Sequence, residues 1–316
     1  MGARTDRGWG QRVDGSRHPV IDLVMLLHSV LSAGTYLFAK RALLELSPFE
    51  VALARFTLAA AIYSVLLLRR PQRVARADLV RLTILGFIAI PVNQGFFLYG
   101  LSLTTPGHAA LLYAMTPVFV FVLALLRREE RSSGWKSAGI ATAFAGAALV
   151  LVTRGQLSGE IEASRALLGD LLVLLAVLAW AVYAVWGKPY AERYGVVTTT
   201  GITIVTGTLL YLPVGIFFSR AADFRALSGA GWGSIAYLVV LTSVVSYLLY
   251  YWALAREDAS RVAIWSNTQP VLTALLAWMV YGDPLTPAFA VGGLLVMAGV
   301  AMTQQRPLRR AHKLGR

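Results

Sequence analysis

Residues 170–188 read DLLVLLAVLAWAVYAVWGK, and residues 22–40 read DLVMLLHSVLSAGTYLFAK. Asp22 aligns with Asp170 and Lys40 with Lys188, both at a spacing of 148. Leu23, Leu26, Leu27 and Ala33 fall on Leu171, Leu174, Leu175 and Ala181. Leucine matches are cheap in apolar sequence, but an acid and a lysine bracketing the same run twice are not. Each run is close to the ~20 residues a helix needs to cross a bilayer core.

The rest of the chain has the same character. Of its 316 residues, 57% are hydrophobic and 14% charged, with a mean hydropathy of +0.63. A soluble domain carries about a quarter charged residues. Here the charge is gathered into short clusters between apolar stretches, which makes one integrated membrane domain the expected class. The chain has no cysteine, which excludes disulfides, thiol catalysis and thiolate metal sites. The polar opening MGARTDRGWGQRVDGSRH is followed by an apolar run without a small-residue cleavage site. That run reads as a retained first helix.

Spans are expected near 20–38, 49–68, 80–101, 108–126, 135–152, 168–187, 198–218, 232–254, 260–281 and 286–303, with Pro48, Pro71, Pro106, Pro284 and Pro287 in or beside the turns. An even number of spans leaves both basic termini on one side. The loops of the other side hold only Lys40, Arg41, Arg154, Arg165, Arg220 and Arg225, and Arg55 lies inside a span. The remaining Lys and Arg residues fall on the tails and the alternate loops, which puts both termini in the cytoplasm. The net charge of +13 is thus explained by topology and attraction to anionic lipid, and nucleic acid is not an expected partner.

The repeat extends beyond the first helix of each unit. Pro117 falls on Pro270, Glu130 on Asp283, Gly139 on Gly292 and Gly146 on Gly299, all at a spacing of 153. Each unit therefore holds five spans, and an odd number inverts the second unit relative to the first. Such inverted repeats are found in many secondary transporters. The expected architecture is an all-α polytopic membrane protein of ten transmembrane helices in two inverted five-helix repeats. A basic cytoplasmic tail (1–18) precedes the repeats (19–153 and 166–304), and a second such tail (305–316) follows.

The ending Trp180, Gly187, Lys188, the pair Arg55-Phe56 and the proline before a glycine–acid turn (Pro270, Gly282, Asp283) resemble the drug/metabolite transporter superfamily, specifically its EamA-type ten-helix bacterial exporters. The resemblance covers roughly residues 20–303. It implies a multi-pass protein of the bacterial inner membrane that exports small metabolites, often amino acids or related compounds, by alternating access. The chain departs from the pattern at Arg128-Glu129-Glu130, where a glycine–acid pair is expected. It also carries Ser32 opposite Trp180, and Thr203 opposite Arg55.

A transport site needs polar or aromatic groups at membrane depth. Spans four and nine offer Tyr113 and Thr116, then Trp265, Ser266, Asn267 and Gln269, around Pro117 and Pro270. A mid-span proline would free a carbonyl about a turn earlier. These groups either ligate a substrate or repair the kink. Span three offers Pro91, Asn93, Gln94 and Tyr99, and its counterpart offers Ser246, Tyr247 and Tyr250. His28, Ser32 and Tyr36 form one stripe at i, i+4 and i+8, with Trp180 and Tyr183 on a similar face of span six. Two readings are open for Arg55. It snorkels or pairs with Glu50 or Glu45 in a gating or structural role, or it offsets an anionic substrate group. The first is preferred, because a guanidinium at that depth can still reach the interface. Spans five and ten carry small residues instead, and their faces suit helix packing or a homodimer contact.

No Asp or Glu falls in the middle of an expected span, and His28 is the single mid-span group of neutral-range chemistry. Facilitated diffusion or exchange with weak proton dependence follows. No HExxH, phosphate-cradling loop or nucleophile–base spacing is present, so no cofactor is expected. A membrane-embedded enzyme, a channel or a scaffold is the rival class.

Overall fold

The structure is a computed structural model, and it describes residues 19–127, 133–154, 160–254, 268–283 and 285–304. Its elements run α1 (Pro19–Ala42), α2 (Pro48–Arg69), α3 (Arg76–Phe87), a π-helical stretch Ile88–Gln94, α4 (Gly95–Leu103), α5 (Pro106–Tyr113), α6 (Thr116–Leu126) and α7 (Gly134–Arg154). The second half runs α8 (Glu160–Tyr194), α9 (Val196–Phe217), the short α10 (Ala221–Ala226), α11 (Gly229–Ala236), a second π-helical stretch Tyr237–Ser246 and α12 (Tyr247–Leu254). It ends with α13 (Thr268–Tyr281) and α14 (Pro287–Gln304). Among the described residues, seven helices are long and apolar enough to cross a membrane: Val20–Ala42, Pro48–Arg69, Arg76–Leu103, Pro106–Leu123, Ala163–Tyr194, Val196–Phe217 and Gly229–Ala253.

The turns carry the chemistry that ends helices. Ser47 caps α2, accepting from the Glu50 amide at 3.3 Å while the Glu50 carboxylate accepts from the Ser47 amide at 2.8 Å, and Pro48 opens the helix where no N–H is needed. Thr105 caps α5 ahead of Pro106, its hydroxyl accepting from the His108 amide at 3.4 Å. After α13, Gly282 takes φ +68°, which lets the Asp283 amide reach back to Ala277 O at 3.4 Å. The glycine–acid pair is thus a helix stop.

Neighbour relations repeat between the halves. α2 packs on α9, α5 on α13 and α7 on α14. The first π stretch and α4 pack on α8, while α11, the second π stretch and α12 pack on α1. Helix direction alternates, so Lys40, Thr104 and Asp170 meet at one end of the bundle and Asp78, Arg193 and Tyr194 at the other. The α7–α14 crossing is close: a Cβ on Gly146 would fall 2.6 Å from Gly292 O, and one on Gly139 2.8 Å from Gly299 O. The small faces that suggested a dimer contact meet each other within one chain.

The polarity is arranged for lipid. Leu23, Leu27, Leu68, Leu209, Phe217 and Met279 point outward, while His28, Arg55, Asn93, Gln94, Thr203 and Ser243 are buried. In hydrocarbon a polar side chain has no solvent partner and must turn inward.

Two helices differ from expectation in ways that move functional groups. α8 starts well before residue 168, so Asp170 lies inside the helix and fully buried, not at its end. The span around Pro117 is broken, not kinked: α5 stops at Tyr113, Ala114 and Met115 form a turn, and Pro117 sits in the first turn of α6. A proline there forfeits no helical hydrogen bond. Pro270 likewise lies in the first described turn of α13.

Candidate functional site

α2 carries Arg55 to the middle of the bundle with 1% of its surface exposed. Its Nε donates to Ser243 Oγ at 2.9 Å and its Nη1 to Gln94 Oε1 at 3.0 Å, and it also hydrogen-bonds the Tyr247 hydroxyl. From there the donors run one way. Gln94 Nε2 donates to Asn93 Oδ1 at 2.5 Å, and Asn93 Nδ2 donates to Ala176 O at 2.6 Å and Tyr113 Oη at 3.0 Å. Ser243 Oγ donates to Leu238 O at 2.9 Å, and Tyr63 donates to Ser243 O at 3.0 Å. Two partners of the guanidinium, Gln94 and Ser243, sit in π-helical stretches, one from each half. A π turn displaces one residue from the regular ladder and is frequent at functional sites. Pro91 lies in the first stretch, where it can donate no backbone bond.

A second cluster lies on α1. His28 Nδ1 is 3.1 Å from Ser246 O and 2.9 Å from Ser246 Oγ. His28 Nε2 is 3.3 Å from Gln269 Nε2 and 3.4 Å from Ser32 Oγ, and Ser32 shares a 2.9 Å hydrogen bond with Ser246. These partners fit a ring protonated at Nδ1 that accepts at Nε2. Aromatic rings pack beside the Arg55 cluster. Trp180 stands 5.4 Å from Tyr183 and 5.5 Å from Tyr247, and Tyr36 lies 5.9 Å from Tyr113 and 5.7 Å from Phe97. Tyr183 shares a 3.2 Å hydrogen bond with Thr203.

Most of the expected residues converge: His28, Ser32 and Gln269 in one cluster, and Asn93, Gln94 and Tyr113 with Arg55 in the other. Tyr247 hydrogen-bonds Arg55 and packs against Trp180, Trp180 packs against Tyr183, and Tyr36 packs against Tyr113. Tyr99 does not join them. It is 45% exposed, because α4 buries Phe97, Leu98 and Leu101 and turns position 99 away. Thr116 is used locally, donating to Tyr113 O at 2.6 Å across the α5–α6 break. Trp265, Ser266 and Asn267 lie outside the described residues. Arg55 neither snorkels nor pairs with an acid of its own end. Glu50 accepts from the Ser47 and Arg220 amides, and Glu45 from Ser228 and Arg41. The residues not anticipated are Ser243, Tyr63, Thr203 and Phe97. Ser243 had one available signal, a Thr-Ser-x-x-Ser run at 242–246 within an otherwise apolar span.

The ends of the bundle are tied by buried carboxylates. At one, Asp170 accepts from the Thr104 hydroxyl and stands 3.3 Å from His108 Nδ1. Lys40 Nζ donates to Thr104 O at 2.7 Å and Leu101 O at 3.0 Å. At the other, Asp78 accepts from Arg193 at 2.8 Å and Tyr194 at 2.6 Å. Among the described residues, no group of three His, Asp or Glu side chains gathers as a metal site.

The family model described as EamA-like transporter family matches this chain twice, at residues 20–152 and 167–304. A protein of Archaeoglobus fulgidus named "Uncharacterized transporter" is 30% identical over 89% of this chain and 96% of its own. A Streptantibioticus cattleyicolor protein named "Probable terminal-alkyne amino-acid exporter" is 29% identical over 84% of this chain and 85% of its own. A solved crystal structure aligns at a TM-score of 0.63 and 20% identity, covering 90% of this chain and 96% of that one, and supports the fold alone. With the family matched over both halves, the chain belongs to the EamA-like transporter family and is a multi-pass membrane transporter.

Proposed function

We propose that this transporter is a ten-helix carrier of two inverted five-helix units, 19–153 and 166–304, and that it exports a small amino-acid-like metabolite by alternating access. Its place is the bacterial inner membrane, with both termini in the cytoplasm. The observation that carries the reading is where the polar groups gather. Gln94 and Ser243, from equivalent π-helical stretches of the two halves, grip the same buried side chain at mid-bundle. Secondary transporters with inverted repeats hold substrate at that interface, in broken helical segments. The matched neighbour relations of the two halves support the inverted arrangement. The rings of Trp180, Tyr183 and Tyr247 beside the amides of Asn93, Gln94 and Gln269 suit a neutral or zwitterionic molecule with an apolar side chain. The exporter name of one relative agrees with that class.

The test is counterflow in proteoliposomes. Vesicles loaded with an unlabelled amino acid should accumulate the labelled form transiently and saturably. Flux linear in concentration indicates a channel, and chemical conversion without flux an enzyme.

A further inference from the structure

Arg55 is a permanent cation sealed in the bundle, and every partner described for it is neutral. Ser243, Gln94 and Tyr247 supply a hydroxyl, an amide carbonyl and a phenol, and the Phe56 ring lies 4.8 Å from the guanidinium carbon. Burying a charge is expensive unless an opposite charge or a full hydrogen-bond shell offsets it. The buried carboxylates described in the structure are committed elsewhere. Glu50 faces the Ser47 and Arg220 amides, Asp170 faces Thr104 and His108, and Asp78 faces Arg193 and Tyr194. A guanidinium has five N–H donors in a planar fork, and three single acceptors do not fill it. The relay turns its oxygens toward Arg55 and its donors away, which solvates the cation, but no member of it carries a negative charge.

Resting on the carrier reading above, we infer that Arg55 is the docking point for the carboxylate of the transported molecule. The fork matches a carboxylate in a two-bond geometry. Trp180 and Tyr183, reached through Tyr247, then receive the rest of the molecule. The site is one-sided. The position equivalent to Arg55 in the second unit is Thr203, which bonds Tyr183. One carboxylate is therefore bound at a time. The neutral acceptors come from both halves: Gln94 from the first, Ser243 and Tyr247 from the second. A carboxylate that takes N–H groups from them loosens a bond that joins the halves, so occupancy and rearrangement act on the same atoms.

The test uses the full-length protein in proteoliposomes, with the twenty common amino acids and their C-terminal amides as probes. Counterflow is read for wild type, Arg55→Lys and Arg55→Gln. The expected result is saturable counterflow of at least one amino acid, with its amide about tenfold weaker or worse. Arg55→Gln should lose that preference, and Arg55→Lys should keep part of it. If Arg55→Gln does not fold, the acid-against-amide comparison in the wild type decides alone. Amide and acid carried equally well by the wild type would overturn the carboxylate site while leaving the carrier standing. No saturable flux of any probe would overturn both.

Discussion

Gln269 sits where a neutral amide can hold the histidine ring of a neighbouring helix, 3.3 Å from His28 Nε2. Removing that one bond should weaken substrate binding by about 1 kcal/mol, a rise of roughly fivefold in KM. Counterflow kinetics of Gln269→Ala check this, and an unchanged KM would take Gln269 out of the site. A second expectation concerns Glu45, in the turn after α1. Hydrogen bonds from the Ser228 hydroxyl and amide, both at 2.7 Å, hold its carboxyl below the ordinary glutamate range, and Arg41 adds to them. A depressed carboxyl stabilises the fold above the unfolded value and loses that contribution as pH falls through the folded one. Wild type should therefore be more heat-stable than Glu45→Gln at pH 7, with the gap closing on acidification below about pH 4.3. A gap that does not vary with pH would contradict the assignment. Arg55 was the residue least readable from sequence. Its distance from the helix start allows it to snorkel, and only the placement of Gln94 and Ser243 around it shows that it turns inward.

At the scale of elements, the apolar runs and their proline and glycine stops were legible, because both follow from backbone chemistry that any membrane helix must satisfy. The π-helical stretches were not. A π turn uses the same apolar residues as an α turn, and nothing in Ile88–Gln94 beyond Pro91 marks the change. Tyr99 was misplaced for a related reason. Membrane helices are apolar on their lipid and packing faces alike, so periodicity does not say which side of α4 faces in. The glycines of α7 and α14 were readable as a close-packing face, though not as partners of each other. Gly146→Val should cost on the order of 1–3 kcal/mol, since its Cβ meets backbone that cannot yield. Thermal unfolding of the purified protein measures the loss, and Gly134→Ala, where nothing lies within 4 Å, should show none from packing. Equal midpoints for wild type and Gly146→Val would contradict the crossing.

For the whole molecule, the two acid-to-lysine runs carried most of the information. Lys40 and Asp170, one from each run, are brought to the same end of the bundle through Thr104. Two copies of one unit inserted in opposite senses would do this, and copies in the same sense would not. The same premise underlies alternating access, because two near-equivalent packings need two near-equivalent halves. Leu44 and Glu192 stand at equivalent places in the two units, at the repeat spacing of 148, with Leu44 64% exposed and the Glu192 side chain 67% exposed. The chain has no cysteine, so a single cysteine can be placed at either position without a background. In intact cells a membrane-impermeant maleimide should label Leu44→Cys directly and Glu192→Cys only after permeabilisation. Labelling of both from the same side would contradict the inverted arrangement.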